Sequence, residues 1–496
     1  MRPYRHRDHP RPTTRRQFLA QGFISGAALV MGPSLMNLFG RPSEAFAQAA
    51  ANCNVGVGGA GKIPFLCFDL GGGASTAGSN VLVGGAGGQL DLLSDEGYSR
   101  MGLPADMTPR ADPALVNTEL GLAFHANSAF LRGIQSKTST TTRERVNGAI
   151  FCARSDNDTG NNPHNPMYGI HKAGADGNLV TLIGTRSSDS GGRSAVPAAM
   201  FDPTVRPTKI DRPSDATGLV DTGKLIELLD PDDAAAVMLA VQNISDRKIE
   251  RMNESALVES LMRSAYDETT TLVRCFGDPN ALDPSLDPMI VAGAPPIFTA
   301  AELGQSEFRK TASVMKLVVG PFAGAGTIEF GGYDYHDSTR ATGERKDFTA
   351  GQAMGAALEY AARVGVPLAI YVLSDGSVAS DGTLDNSPDG GGKGIWKGDN
   401  SSTAGTFMLV FDPAGRPAMN GPTANQIGYF RPSGSVETGA NAIASNVELL
   451  AQAIVLNYLA LHGEVGNLGA VLPGHGLGSA LDPLIAFASL PAFSGP

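Results

Sequence analysis

The chain has 496 residues, too many for one small core and about right for one large α/β domain with excursions. Hydrophobic residues make up 42% and charged residues 18%, which excludes a chain that is disordered in bulk. The net charge of −11 argues against nucleic acid or an anionic membrane surface as partner.

The first segment reads as an address rather than as part of the fold. Residues 1–14 are polar and carry Arg2, Arg5, Arg7 and Arg11. Thr14-Arg15-Arg16-Gln17-Phe18-Leu19 follows, then an uncharged apolar stretch to Gly40 and a small-x-small sequence at Ala45-Phe46-Ala47. This layout predicts a twin-arginine export signal over 1–47 and a periplasmic or extracellular mature protein. A membrane anchor is the alternative. Gly22, Gly26, Gly32 and Pro33 interrupt the apolar stretch, so no stable membrane span is expected after cleavage. Removing 1–47 takes away seven arginines and two acids, and the net charge becomes −16. The cysteines (Cys53, Cys67, Cys152, Cys275) are too widely spaced for a metal motif. After export they offer up to two disulfides, unless Cys67, inside an apolar run, is simply buried.

Residues 48–62 form a Gly-rich leader. Residues 63–70 predict the first buried strand. It ends in Gly71-Gly72-Gly73-Ala74-Ser75, where backbone can approach a ligand. No dinucleotide fingerprint and no Walker lysine follows. Residues 76–114 read as loop, 120–134 as a short helix entering a strand, and 135–170 as a polar stretch holding His164. A strand is expected over 178–184, then a linker with four prolines over 185–223. Residues 224–276 contain no glycine and one proline. They predict two helices, 231–250 and 253–276, with Asp230 as cap and Pro231 at the first position. This excursion either covers the sheet or serves as a lid or docking surface.

Thr299 caps a helix expected to run to 318. The stretch 326–375 reads strand, polar turn, helix, strand, polar turn, with the helix over 348–364. A loop rich in Asp, Gly and Ser fills 374–404. A strand (406–411), a helix (441–462) and a surface-packed tail (463–496) complete the chain. Strands alternating with helices predict an α/β fold. Its sheet is mainly parallel and covered by helices on both faces, within one domain over 63–496.

Asp334 and His336 are two apart, so in extended backbone they share a face. Such a pair can bind a divalent metal, serve as a base with its orienting acid, or belong to a solvated turn. Asp375 follows a buried strand, where acids are ligands, bases or caps. The acids Asp375, Asp381, Asp385 and Asp389 lack the calcium-loop spacing. Ser75, Ser374 and Ser377 sit outside any Gly-x-Ser-x-Gly elbow, so a serine-hydrolase triad is unsupported. His475, in Pro473-Gly474-His475-Gly476, either reaches back to the site or lies on the surface. His125 reads as a core or supporting group.

Glu329-Phe330-Gly331-Gly332-Tyr333-Asp334-Tyr335-His336 carries the most specific motif. With Arg15-Arg16-Gln17-Phe18-Leu19 before it and Leu373-Ser374-Asp375-Gly376 after it, it resembles a family of twin-arginine-exported proteins. That family lies within the alkaline-phosphatase/sulfatase-like superfamily. Phe124-His125-Ala126 resembles the family's histidine segment. The resemblance implies an alkaline-phosphatase-like fold and a divalent metal site, zinc or calcium. Asp334, His336 and Asp375, with Asp399 and His475, would hold the ion. Ser75 stands where the family has an acid, and Gly398-Asp399-Asn400 where it has Asp-His-Gly. Asn is a poor ligand beside His, and a two-metal site needs a full set. The expected function is therefore binding through an altered metal site. One alternative is a metal-dependent hydrolase of a small phosphoester or sulfoester with Ser75 as nucleophile. Another is an accessory partner in a secretion or surface-assembly system of the cell envelope, docking through 231–276.

Overall fold

The computed structural model describes residues 61–155, 162–220 and 279–490. The expected signal, most of the leader, the helices over 231–276, Cys53 and Cys275 lie outside those residues. The sheet and its helices belong to one compact unit, Ser43–Thr217 with Asn280–Pro496.

Eight strands form the central sheet: β1 (Phe65–Gly71), β2 (Val146–Phe151), β3 (Val180–Gly184), β4 (Thr208–Lys209), β5 (Ala323–Gly331), β6 (Leu368–Ser374), β7 (Thr406–Phe411) and β8 (Gln426–Ile427). Their order is β8-β2-β7-β6-β1-β5-β3-β4. Every neighbouring pair is parallel except those made by β7, which runs antiparallel to β2 and β6. Strands β1, β6 and β7 are buried along their whole length. This is why they read as continuous apolar runs without alternation. Leu70 of β1 pairs with both Phe330 and Ser374. The carboxyl ends of β1, β5 and β6 are therefore level at one edge, and ligands of open α/β sheets bind outside that edge.

Both faces are covered. Phe65, Cys67, Tyr371 and Met408 share one core with α2 (Met167–Lys172) and α5 (Val447–Leu461). On the opposite face, a side chain at Gly326 would meet Val314 and Val318 of α3 (Ser306–Val319). Phe407 packs its ring 6.0 Å from that of Phe130 in α1 (Ala129–Lys137). Helix α1 also crosses α4 (Ala341–Val364), where Gly133, Gly351 and Gly355 let the two backbones approach. No described helix is long and apolar enough to cross a membrane.

Several boundaries differ from expectation for local reasons. The segment 120–134 is a short hairpin (Val116–Leu120 with Leu122–His125) followed by α1, the reverse of the expected order. Ser128 ends the extended stretch by capping α1 at the Leu131 N–H. The polar stretch 135–170 hides β2, whose burial is complete although Asn147 interrupts its apolar pattern. The helix expected over 299–318 is two helices. Thr299 forms a capping box with Glu302 on the first, which ends at Gly304 before α3 begins. Helix α4 starts seven residues earlier than its apolar pattern, because Asp385 accepts from the Arg340 and Ala341 N–H groups. The tail runs along the surface as expected, with many residues exposed, but Leu472, Leu477, Leu484 and Phe487 anchor it by burial in the core that contains α5. Cys67 and Cys152 are free, buried thiols, so neither is in a disulfide.

Candidate metal centre

Strand β5 runs into Gly331-Gly332, and Gly332 takes a left-handed turn at φ +78°. After it, inside and outside alternate. Tyr333 and Tyr335 are buried, whereas Asp334 and His336 are turned outward. The two tyrosines anchor the segment to α4. Tyr333 donates to the Lys346 carbonyl at 2.8 Å and Tyr335 to Asp347 Oδ1 at 3.1 Å. The expected i, i+2 relation therefore holds: His336 Nε2 lies 2.6 Å from Asp334 Oδ1.

A third candidate ligand arrives from far along the chain. Asp399 sits in a two-residue bridge, paired with Val378. Its Oδ1 lies 3.3 Å from the same His336 Nε2. Asp334, His336 and Asp399 each offer one atom within 4.8 Å of the others. Their side chains are 53%, 34% and 49% exposed, so water reaches the cluster. Two carboxylates and one imidazole suit zinc better than calcium, which takes six to eight oxygen ligands. Both carboxylate oxygens face the same ring nitrogen, which carries at most one N–H.

The other expected residues lie elsewhere or are occupied. Asp375 is wholly buried. Its Oδ1 accepts from the Gly72 N–H at 2.6 Å and its Oδ2 from Arg193 Nε at 2.9 Å. Burial raises its pKa, against the lowering by Gly72 and Arg193. Ser75 is buried and fixed through its backbone. Its N–H donates to the Tyr335 hydroxyl at 2.7 Å, and its carbonyl accepts from Asn80 at 2.8 Å. Asn400 stands where the resemblance expects His, and it caps a single turn by accepting from the Ser402 N–H. His475 lies on the tail, beside the residue whose N–H is bound by Gln452 of α5. His125 donates from Nε2 to the Met107 carbonyl and accepts at Nδ1 from the Asn127 N–H. Burial holds it neutral, with a pKa lowered to about 4. In the acidic loop, Asp385 caps α4 and Asp389 pairs with Arg345 at 2.7 Å.

Three supporting residues carried no recognised role in the sequence. Asp69, the acid inside β1, accepts from the Arg193 and Ser194 N–H groups and from the Ser194 hydroxyl. Burial pushes its pKa up to about 7. The anomaly of an acid in an apolar run was visible, but its partner 124 positions away was not. Arg193, on a stretch read as linker, bridges from this loop to Asp375. Asp347, on α4, holds both Tyr335 and Asn80.

Burial raises the Asp347 pKa to about 7 from the ordinary 3.8. Such a group contributes stability that is complete below about pH 4 and is lost as pH rises through 7. At the limit the change is roughly 4 kcal/mol. Buried His125, His164 and His462, each lowered to about 4, act in the opposite sense below pH 6.5. A difference measurement separates them. The melting temperature of Asp347→Asn minus that of wild type is expected to rise from pH 5 to pH 8; a flat difference would contradict the assignment.

No family model, curated protein or solved structure matches this chain.

Proposed function

We propose that the chain is an exported protein of alkaline-phosphatase/sulfatase-like architecture whose altered site binds one divalent cation, zinc in preference to calcium, rather than hydrolysing an ester. The observation that carries this reading is the convergence of Asp334, Asp399 and His336 Nε2 at the carboxyl edge of the sheet. If zinc binds there, it would act as a Lewis acid with open positions for water. The chain's own residues argue for binding. A second ion needs further carboxylates and imidazoles. Asp375 is committed to Gly72 and Arg193, and Asn400 caps a turn.

Titration of the metal-stripped protein with zinc tests the proposal. Trp396, the only tryptophan, is buried 6.4 Å (ring centroids) from Tyr335 and accepts from the Ser338 N–H, so its emission reports on this segment. One zinc per chain is expected. Losing a group that merely supports a ligand costs about 10–100-fold in affinity, and His336→Ala or Asp399→Ala should cost at least as much. Zinc binding unchanged in both variants would sink the proposal. Turnover of phosphate or sulfate esters, abolished in Asp334→Ala, would turn the reading to hydrolysis.

A further inference from the structure

A second site lies along the same sheet edge and shares no residue with the metal centre. It is a cavity of about 530 Å³ at the ends of β3, β4 and β5, against the first turn of α3. That volume falls within the range of small-molecule pockets. Arg186, Lys209, Arg309 and Lys310 line it, opposed by Asp211 and Glu329. The cavity thus carries two positive charges in excess, in a chain whose net charge is −11.

The pairing within the cavity shows which charges are committed. Glu329 lies 3.3 Å from Arg186 and 3.9 Å from Lys310. Asp211 holds Lys209 at 2.7 Å. Arg309 Nε is buried, and among the described residues it has no hydrogen-bond partner. Nε itself is closed to a ligand, but no ion pair holds the Arg309 side chain among the described residues, so the terminal nitrogens of its guanidinium can meet an anion in the cavity. Burial also lowers the Lys310 pKa, which a nearby anion would reverse. Neutral donors supplement the charges. The Thr185 hydroxyl accepts from the Glu329 N–H, which leaves its proton for the cavity. Helix α3 begins at Ser306, and the residue before it makes no side-chain cap. Its first-turn N–H groups and the positive end of its dipole therefore add to the field.

We propose that this cavity binds a small dianion bearing a phosphate group. Fork-shaped guanidinium donors match phosphate oxygens in pairs, and the excess of two charges matches a dianion. The volume leaves room for an organic part beyond the phosphate.

Calorimetric titration of the full chain in chelator, with inorganic phosphate, glucose 6-phosphate and glucose, tests it. Phosphate or the phosphate ester should bind one per chain, more weakly as salt rises, and glucose should not bind. Arg309→Gln should weaken binding at least ten-fold and Arg309→Lys less, with unchanged circular dichroism. Lys209→Gln, on a partly exposed side chain, carries the test if Arg309→Gln does not fold. His336→Ala should bind normally, which separates this site from the metal centre. Tighter binding of the ester identifies an organic phosphate as ligand, and equal binding identifies free phosphate. No binding of either, equal binding of glucose, or affinity unchanged in both the Arg309 and Lys209 variants would overturn the proposal.

Discussion

Gly351→Ala is expected to destabilise the protein by about 3 kcal/mol, although alanine is the better helix former. Gly351 lies inside α4, where intrinsic propensity alone predicts a gain of about 1 kcal/mol. Packing decides otherwise. A Cβ at Gly351 would run into the Phe130 carbonyl of α1, and one at Gly133 into the Phe348 carbonyl of α4. At Gly355 the Ile134 carbonyl would lie 2.7 Å away. These are backbone atoms of a packed helix, not side-chain tips that can swing aside. Accommodating a methyl there means separating α1 from α4. Overpacking of a close-packed interior costs about 1–3 kcal/mol and more where backbone must move. Gly469→Ala is the control, because a Cβ there meets nothing within 4 Å. It should change stability by less than about 0.5 kcal/mol. Urea denaturation followed by Trp396 emission measures both, and equal stabilities for the two variants would refute the account.

What the sequence shows and what it hides divide along contact distance. Strand β7 was legible to the residue because six buried positions, five of them apolar, lie between clear breaks. Asp334 and His336 were legible because a two-residue spacing fixes a common face in any extended chain. Asp399 could be named only through the family resemblance. Its arrival at His336, 63 positions away, depends on the bridge between Val378–Ala379 and Gly398–Asp399. Those segments are two residues long and have no periodicity to read. Arg193 shows the opposite case. A Gly- and Ser-rich stretch reads as linker, yet Asp69 binds two of its N–H groups and fixes it beside β1. Long-range polar pairing of this kind leaves no local pattern. The anchoring of the tail was hidden for a similar reason. Its leucines are scattered among Gly and Pro, and only their contact with α5 makes them core.

Arg193→Met is expected to cost about 2–3 kcal/mol at pH 8 and less at pH 5. Removing one partner of a buried ion pair costs about 3–5 kcal/mol, because the remaining charge is left buried. Arg193 is 38% exposed, while Asp375 is wholly buried. Solvent already screens part of the pair, so the lower end applies. In the variant only the Gly72 N–H remains of the two hydrogen bonds to the Asp375 carboxylate described above, and its pKa rises further. A raised acid loses stability as pH rises through its folded pKa, so the deficit shrinks where Asp375 takes up a proton. Asp375→Asn removes the charge but keeps an oxygen for the Gly72 N–H, at the expense of an amide facing Arg193. The double variant should therefore lose less than the sum of the singles, by at least about 1 kcal/mol. The same variants decide what Asp375 does for the proposed metal centre. A Cβ at Gly72, whose φ is +132°, would collide with the Asp334 backbone, so the turn that Asp375 holds abuts the cluster directly. If Asp375 serves by holding that turn, Asp375→Asn keeps its zinc affinity within a few-fold of wild type. Loss of zinc binding in Asp375→Asn, with the fold intact by circular dichroism, would instead place Asp375 among the ligands.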